Sequence, residues 1–209
     1  MEQNFDPKKG TTTVAMVGKD GVVLAADMRA SMGYFIASRE TEKIHKLDDH
    51  IGMTIAGSVG DAQALVRYMQ AELKLFKLQN NAPIPVRAAS TLLANILFQQ
   101  KYFPFLVQLL VAGVDDKGPA IYNLDPLGGV TIEKCTSTGS GSPVALGYLE
   151  SIYKENMEVE DLLPIAVRAI SIAMKRDIAT GDGIALVSIT PKGYKTYSKE
   201  EIQSLLSSQ

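Results

Sequence analysis

Hydrophobic and polar positions along this chain alternate between two periods. From Gly10 to Gly57 the apolar residues come in short, β-branched runs: residues 10–18, 22–26, 43–47 and 51–57. Runs of that length and composition predict strands, and the third alternates at period two as a half-buried strand does. Lys19-Asp20-Gly21 and Asp48-Asp49-His50 supply turns between them. Residues 31–42, of mixed polarity around Gly33, read as a looser connection. Four strands so close together predict one antiparallel sheet built from hairpins.

At Ser58 the period changes. Ala62, Leu65, Val66, Met69, Leu73 and Phe76 recur at helical spacing, with Ser58 and Asp61 as a capping pair and Asn80 to Pro83 as the stop. A second helix runs from Pro85 to Phe103-Pro104, with Val86, Ala89, Leu93, Ile96 and Leu97 on its apolar face. Strands return at 107–114, 120–124 and 130–135, followed by a small-residue loop at 136–143. Helices are predicted at 144–156 and 159–176, the latter containing Pro164, which either marks its first turn or bends it. Strands at 183–189 and 194–197 and a helix at 198–206 complete the chain. Strands, a helix pair, strands, a helix pair and strands predict one α+β domain, two antiparallel sheets face to face with helices over each outer surface.

Composition narrows the function. The 209 residues are 46% hydrophobic and 21% charged, ordinary for a globular protein with a large core. A net charge of −2 gives no reason to expect nucleic acid or an anionic membrane as partner. Cys135 stands alone, so no internal disulfide is expected, and two histidines make a multi-histidine metal site improbable. The first residues lack a signal-peptide core, and no run reaches the ~18 apolar residues that span a bilayer. A soluble, cytoplasmic protein without metal or cofactor is expected.

Candidate chemistry concentrates where the first strand opens. The bond between Gly10 and Thr11 joins that strand to a short, polar, charged arm with Asp6-Pro7 as a turn signal. Cleavage there would leave Thr11 with a hydroxyl nucleophile and a free α-amine, and such an amine can serve its own threonine as base. An α-amine titrates near ~7.7–8.0, so about a tenth is neutral at pH 7. A lysine, near ~10.4, would need its pKa lowered at a cost of about 4 kcal/mol to compete. A neighbouring lysine helps instead by depressing the amine through like-charge repulsion, and if buried it requires a carboxylate. Asp27 closes the second strand, Lys43 starts the third, and the Gly57 N–H stands before a helix as a candidate oxyanion donor. A plain threonine-rich strand, surface charges and strand-to-helix punctuation are the alternative readings of these same residues. Neither histidine adjoins a Gly-x-Ser-x-Gly elbow, and Gly139-Ser140-Gly141 lacks the Gly-Lys-Ser/Thr ending of a phosphate loop.

Several motifs taken together carry a resemblance. They are Gly10-Thr11-Thr12-Thr13-Val14, Ala25-Ala26-Asp27-Met28-Arg29, Lys43-Ile44, Met53-Thr54-Ile55-Ala56-Gly57 and Gly60-Asp61-Ala62-Gln63 through Arg67-Tyr68. Ser137-Thr138-Gly139-Ser140-Gly141-Ser142 and Lys175-Arg176-Asp177 with Thr180-Gly181 follow in the same order. Along nearly its whole length the chain resembles the β subunits of the 20S proteasome, most closely the archaeal type. The resemblance implies the four-layer αββα sandwich of N-terminal nucleophile hydrolases. It implies that residues 1–10 are a propeptide removed by Thr11, leaving residues 11–209 as a single catalytic domain of a threonine endopeptidase.

By the same resemblance, Thr11 is nucleophile and its amine, tuned by the charge of Lys43, is the base; Asp27 holds Lys43, and the Gly57 N–H stabilises the oxyanion. Ser140, Asp177 and Thr180 are implied to hydrogen-bond around the threonine amine; Thr180 departs from the serine usual there but keeps the hydroxyl. The implied substrate pocket involves Ala30, Ser31, Thr41, His45, Ile55, Val59 and Gln63, mainly apolar and so chymotrypsin-like. Implied partners are proteasome α subunits, other β subunits in a heptameric ring, a regulatory ATPase acting through the α rings, and unfolded polypeptides. A non-catalytic β subunit, the simpler bacterial two-ring relative, or another N-terminal nucleophile amidase are the competing readings.

Overall fold

The computed structural model describes residues 10–207, so most of the expected propeptide, residues 1–9, lies outside the described residues, as do residues 208 and 209. Two five-stranded antiparallel sheets pack face to face. The first has the order β10-β1-β2-β11-β12, formed by β1 (Thr13–Val17), β2 (Val22–Asp27), β10 (Cys135–Thr138), β11 (Ile184–Thr190) and β12 (Gly193–Thr196). The second has the order β5-β6-β7-β8-β9, formed by β5 (Ile44–Asp48), β6 (Ile51–Gly57), β7 (Val107–Asp115), β8 (Gly118–Leu124) and β9 (Val130–Glu133). Helices α1 (Val59–Asn80) and α2 (Val86–Gln99) pack on the second sheet; α3 (Ser142–Ile152), α4 (Val159–Met174) and α5 (Lys199–Ser207) lie on the side of the first. This is the four-layer α+β arrangement expected from the element order. Among the described residues no helix is long and apolar enough to cross a membrane.

Burial on both faces explains why the central strands read as continuous apolar runs. Along β1, Val14 and Met16 pack toward α4 while Ala15 and Val17 face the opposite sheet. Along β2, Val23 and Ala25 join the first set, and Val22, Leu24 and Ala26 the second. In the other sheet Ile51, Met53 and Ile55 of β6 turn toward Leu65, Met69 and Leu73 of α1. The layer between the sheets is completed by Leu110, Ala112 and Ile121.

Four expectations need correction. The first strands do not form one hairpin sheet: β1 and β2 belong to one sheet, β5 and β6 to the other. The connection read as loop contains a separate two-stranded hairpin, β3 (Ala30–Met32) and β4 (Phe35–Ser38), whose exposed residues give no burial periodicity. Residues 130–135 are not one strand. The ladder with β8 ends at Glu133, and from Cys135 the chain pairs with β1, so Thr136 to Thr138 are strand rather than loop. Their hydroxyls are absorbed locally: Ser137 Oγ donates to the Thr13 carbonyl at 2.7 Å, and Thr138 pairs with the Thr13 hydroxyl at 2.7 Å. Finally, Ser58 caps α1 without a side-chain bond, and Asp61 instead accepts from the Leu106 N–H at 3.0 Å, fastening the helix start to the segment before β7. Pro164 lies inside α4 rather than at its start.

Candidate active site

Gly10 and Thr11 lie at one end of the sandwich, where β1 begins. Asp27 ends β2 beside them, Lys43 immediately precedes β5, and Gly57 ends β6. Ser140 stands at the entry to α3, while Asp177 and Thr180 lie on the connection from α4 to β11. Five distant segments therefore meet at the start of one strand.

The Thr11 hydroxyl is buried and donates to the Gly10 carbonyl oxygen at 2.7 Å. Its N–H donates to Ser140 Oγ at 3.2 Å. Gly10 donates its own N–H to Ser31 Oγ at 3.0 Å, and a Cβ at Gly10 would overlap the side chain of Ala179. Only glycine fits before the threonine in this arrangement. Gly139 has the same kind of constraint: φ is +92°, and a Cβ would run into the Thr11 carbonyl.

Asp27 is fully buried and saturated. Its Oδ1 accepts from Lys43 Nζ at 2.7 Å and from the Thr12 N–H at 2.9 Å; Oδ2 accepts from the N–H groups of Gly181 at 2.9 Å and Arg29 at 3.1 Å. A buried ammonium survives only with such a partner. Burial nonetheless pushes Lys43 below the ordinary lysine value, against the opposing pull of Asp27. The pair spans the sandwich, since Asp27 belongs to the first sheet and Lys43 leads into the second.

Behind Thr11 runs a second network. Ser140 Oγ and Thr180 Oγ1 each donate to Asp177 Oδ2 at 2.5 Å. With its proton committed to Asp177, Thr180 accepts from Thr12 Oγ1 at 2.7 Å. Only Ser140 of this trio reaches the Thr11 nitrogen directly; the Thr180 hydroxyl bonds Thr12 and Asp177.

A cleft of about 560 Å³ opens beside Thr11 and is also lined by Lys43 and Gly57. Ala30, Ser31, Thr41 and His45 line it, as do Ile55, Val59 and Gln63, so every residue of the expected pocket falls in one cavity. Asp27, Ser140, Asp177 and Thr180 lie outside its lining. Burial lowers the pKa of His45 below the usual histidine value despite the nearby Glu42.

Three participants went unassigned in the sequence reading. Arg29 bonds Asp182 Oδ2 at 2.6 Å and the Ile178 carbonyl at 2.7 Å, tying the end of β2 to the connection that carries Thr180. Its place in the Asp27-Met28-Arg29 motif was the available signal. Thr12 touches both networks, and its position beside Thr11 hid it among three consecutive threonines. Glu42 lines the cleft, next to a lysine with a clearer role.

Comparison with known proteins finds relatives along nearly the whole chain. Residues 7–189 match the family model described as Proteasome subunit. A protein of Methanothrix thermoacetophila named Proteasome subunit beta is 53% identical over 201 residues, covering 96% of this chain and 97% of its own length. The protein of that name from Archaeoglobus profundus is also 53% identical over 201 residues, covering 96% and 94%. A third, from Methanocaldococcus vulcanius, is 50% identical over 204 residues, covering 97% and 92%. With a family match over most of its length and relatives at half identity from end to end, this chain belongs to the proteasome subunit family.

Proposed function

We propose that this chain is a threonine endopeptidase subunit of a proteasome core, made as a precursor and activated by its own cleavage between Gly10 and Thr11. One observation carries the proposal: the Thr11 hydroxyl sits on the carbonyl of the bond to be cut, 2.7 Å from its oxygen. Proximity of this kind removes most of the entropy that a bimolecular attack would lose.

In the maturation step Thr11 Oγ adds to the Gly10 carbonyl carbon. The C–N bond breaks as the Thr11 nitrogen takes up a proton, leaving an ester between Gly10 and Thr11 Oγ. Water hydrolyses the ester, releasing residues 1–10 with a new carboxylate and leaving Thr11 with a free amine. Peptide substrates then follow the same course. The amine accepts the hydroxyl proton, directly or through water, and Oγ attacks the substrate carbonyl. The proton passes to the departing amine, and water resolves the acyl-enzyme. Lys43, held by Asp27, keeps a positive charge near the amine and lowers its pKa. The Gly57 N–H stabilises the oxyanion, while Ser140, backed by Asp177 and Thr180, holds the Thr11 nitrogen.

Apolar walls from Ala30, Ile55 and Val59 support cleavage after large hydrophobic residues, a chymotrypsin-like preference. The family and the relatives' names support assembly into a proteasome particle, and the partners we propose there are α subunits and other β subunits in heptameric rings. Unfolded polypeptides, delivered by a regulatory ATPase through the α rings, are the substrates of such a particle, and the cytoplasm is its compartment.

Intact mass and N-terminal sequence after co-expression with a proteasome α subunit, beside a Thr11→Ala control, provide the test. Wild-type particles should begin at Thr11 and the control should retain residues 1–10. Assembled wild-type particles that keep the arm would make this a structural, non-catalytic subunit.

A further inference from the structure

Gln108 is the one polar side chain in the apolar run from Val107 to Val114. Along β7, Val107, Leu109 and Val111 belong to the core shared with α1 and α2, while Leu110 and Ala112 face the opposite sheet. Alternation along the strand puts Gln108 on that second face, at the exposed end of the layer between the sheets. Its amide is used there: Gln108 Oε1 accepts from the Gly139 N–H at 3.1 Å, a bond from the second sheet to the loop that follows the first.

What hangs on that bond is the loop against Thr11. Gly139 follows β10, an edge strand paired with β1 alone among the described residues. At φ +92°, with no room for a Cβ beside the Thr11 carbonyl, Gly139 lies directly on the threonine. Ser140 comes next and accepts from the Thr11 N–H at 3.2 Å, its own proton being directed to Asp177 Oδ2. The Gly141 N–H reaches the Thr11 carbonyl at 3.3 Å. Both contacts to Thr11 are at the long end for N–H···O bonds. A turn leaving an edge strand and held by two long bonds needs a further anchor if its distance to Thr11 is to stay fixed.

Gln108 supplies that anchor from the other sheet. Two further polar contacts cross between the sheets at this end of the sandwich. Lys43 meets Asp27 at 2.7 Å, and the Thr54 hydroxyl of β6 donates to that of Thr13 at 3.1 Å. The first fixes the carboxylate beside Thr12, the second fixes β1, and Gln108 fixes the loop that carries Ser140. Gln108 lies outside the lining of the cleft, so it acts on Thr11 through Ser140 rather than on a peptide in the cleft.

We infer that Gln108 is a positioning residue for the Thr11 nitrogen: its amide oxygen ties the turn at residues 139–141 to the second sheet and keeps Ser140 Oγ in reach of that nitrogen. The inference rests on the protease reading above, in which the nitrogen becomes the base.

Two variants test it in particles assembled with an α subunit. Gln108→Met keeps the length and removes the acceptor; Gln108→Glu keeps an acceptor oxygen. Hydrogen exchange by mass spectrometry reads the segment 136–143. A blocked tripeptide aminocoumarin with leucine at the cleaved position gives KM and kcat, the latter counted per Thr11 N-terminus from intact mass. In Gln108→Met, exchange in that segment should quicken and kcat should fall about three- to tenfold, the factor that one lost hydrogen bond amounts to, with KM unchanged. Gln108→Glu should restore both to within about twofold of wild type. A loss confined to yield or melting temperature, with kcat per processed subunit equal to wild type, would make Gln108 merely structural and overturn the inference. So would a Gln108→Glu variant as slow as Gln108→Met. Processed wild-type particles that cleave no peptide would sink the protease reading, whereas equal exchange in wild type and Gln108→Met would sink the anchor whether or not the particles cleave peptides.

Discussion

Lys43 Nζ lies 2.7 Å from Asp27 Oδ1, and this contact joins the two sheets at the end of the sandwich where β1 begins. The partners are not equivalent. Asp27 also accepts three backbone N–H groups, from Thr12, Arg29 and Gly181, whereas its carboxylate is the only ion-pair partner of Lys43 among the described residues. Removing Asp27 leaves a buried ammonium and three unpaired donors, at a cost of about 3–5 kcal/mol. Removing Lys43 leaves a carboxylate still held by three donors. Lys43→Met should therefore give folded particles that retain residues 1–10, while Asp27→Ala should lose soluble protein. Sedimentation and intact mass decide; equal solubility of the two variants would refute the asymmetry.

Thr180 is 1% exposed and its hydroxyl bonds both Asp177 and Thr12. The methyl group takes no part in either bond. Thr180→Ser should process its arm within about threefold of the wild-type rate. Thr180→Val keeps the shape but leaves Asp177 Oδ2 with Ser140 alone and takes the acceptor from the Thr12 hydroxyl, a loss of about 1–3 kcal/mol when buried. Processing should slow sharply in that variant, followed by the appearance of the Thr11 N-terminus over time.

The sequence made the layers legible because helical and strand periods alternate cleanly, as in Ala62 to Leu73 against Ile51 to Gly57. Strand membership was less readable. Nothing in residues 130–138 marks the change of partner after Glu133, because a crossover between sheets is set by what lies opposite rather than by the residues that cross. The β3–β4 hairpin was hidden for another reason: Phe35 is 68% exposed, so its strand shows no buried face. At the site, the residue identities followed from the resemblance, but the path of each hydrogen bond did not. That Thr180 meets Thr12, and that Asp27 reaches Lys43 across the sandwich rather than along one sheet, depends on the folding of five remote segments onto one strand end.

Two glycines should respond oppositely to alanine. Gly57 has φ +132°, and a Cβ there would collide with the Leu106 carbonyl. Gly57→Ala should misplace the junction between β6 and α1, and with it the cleft wall. Gly147 lies within α3, where a Cβ would meet nothing within 4 Å. Gly147→Ala should stabilise by about 0.5–1 kcal/mol by restricting the unfolded chain. On a chain of this size that is a rise in melting temperature of about 1–4 °C. A drop for Gly147→Ala would show that this face of α3 is covered in the particle.

The neutral imidazole of His45 gives the cleft a pH dependence of known sign. Burial lowers its pKa below the usual histidine value of ~6.5, so the folded protein binds this proton less readily than the unfolded chain. Its contribution to stability is complete above ~6.5 and is lost as the pH falls through the lower, folded value. Stability to urea should therefore stay level from pH 8 to about 6.5 and decline toward pH 5. His45→Gln should flatten that decline, and a decline of equal size in the variant would assign it to another group.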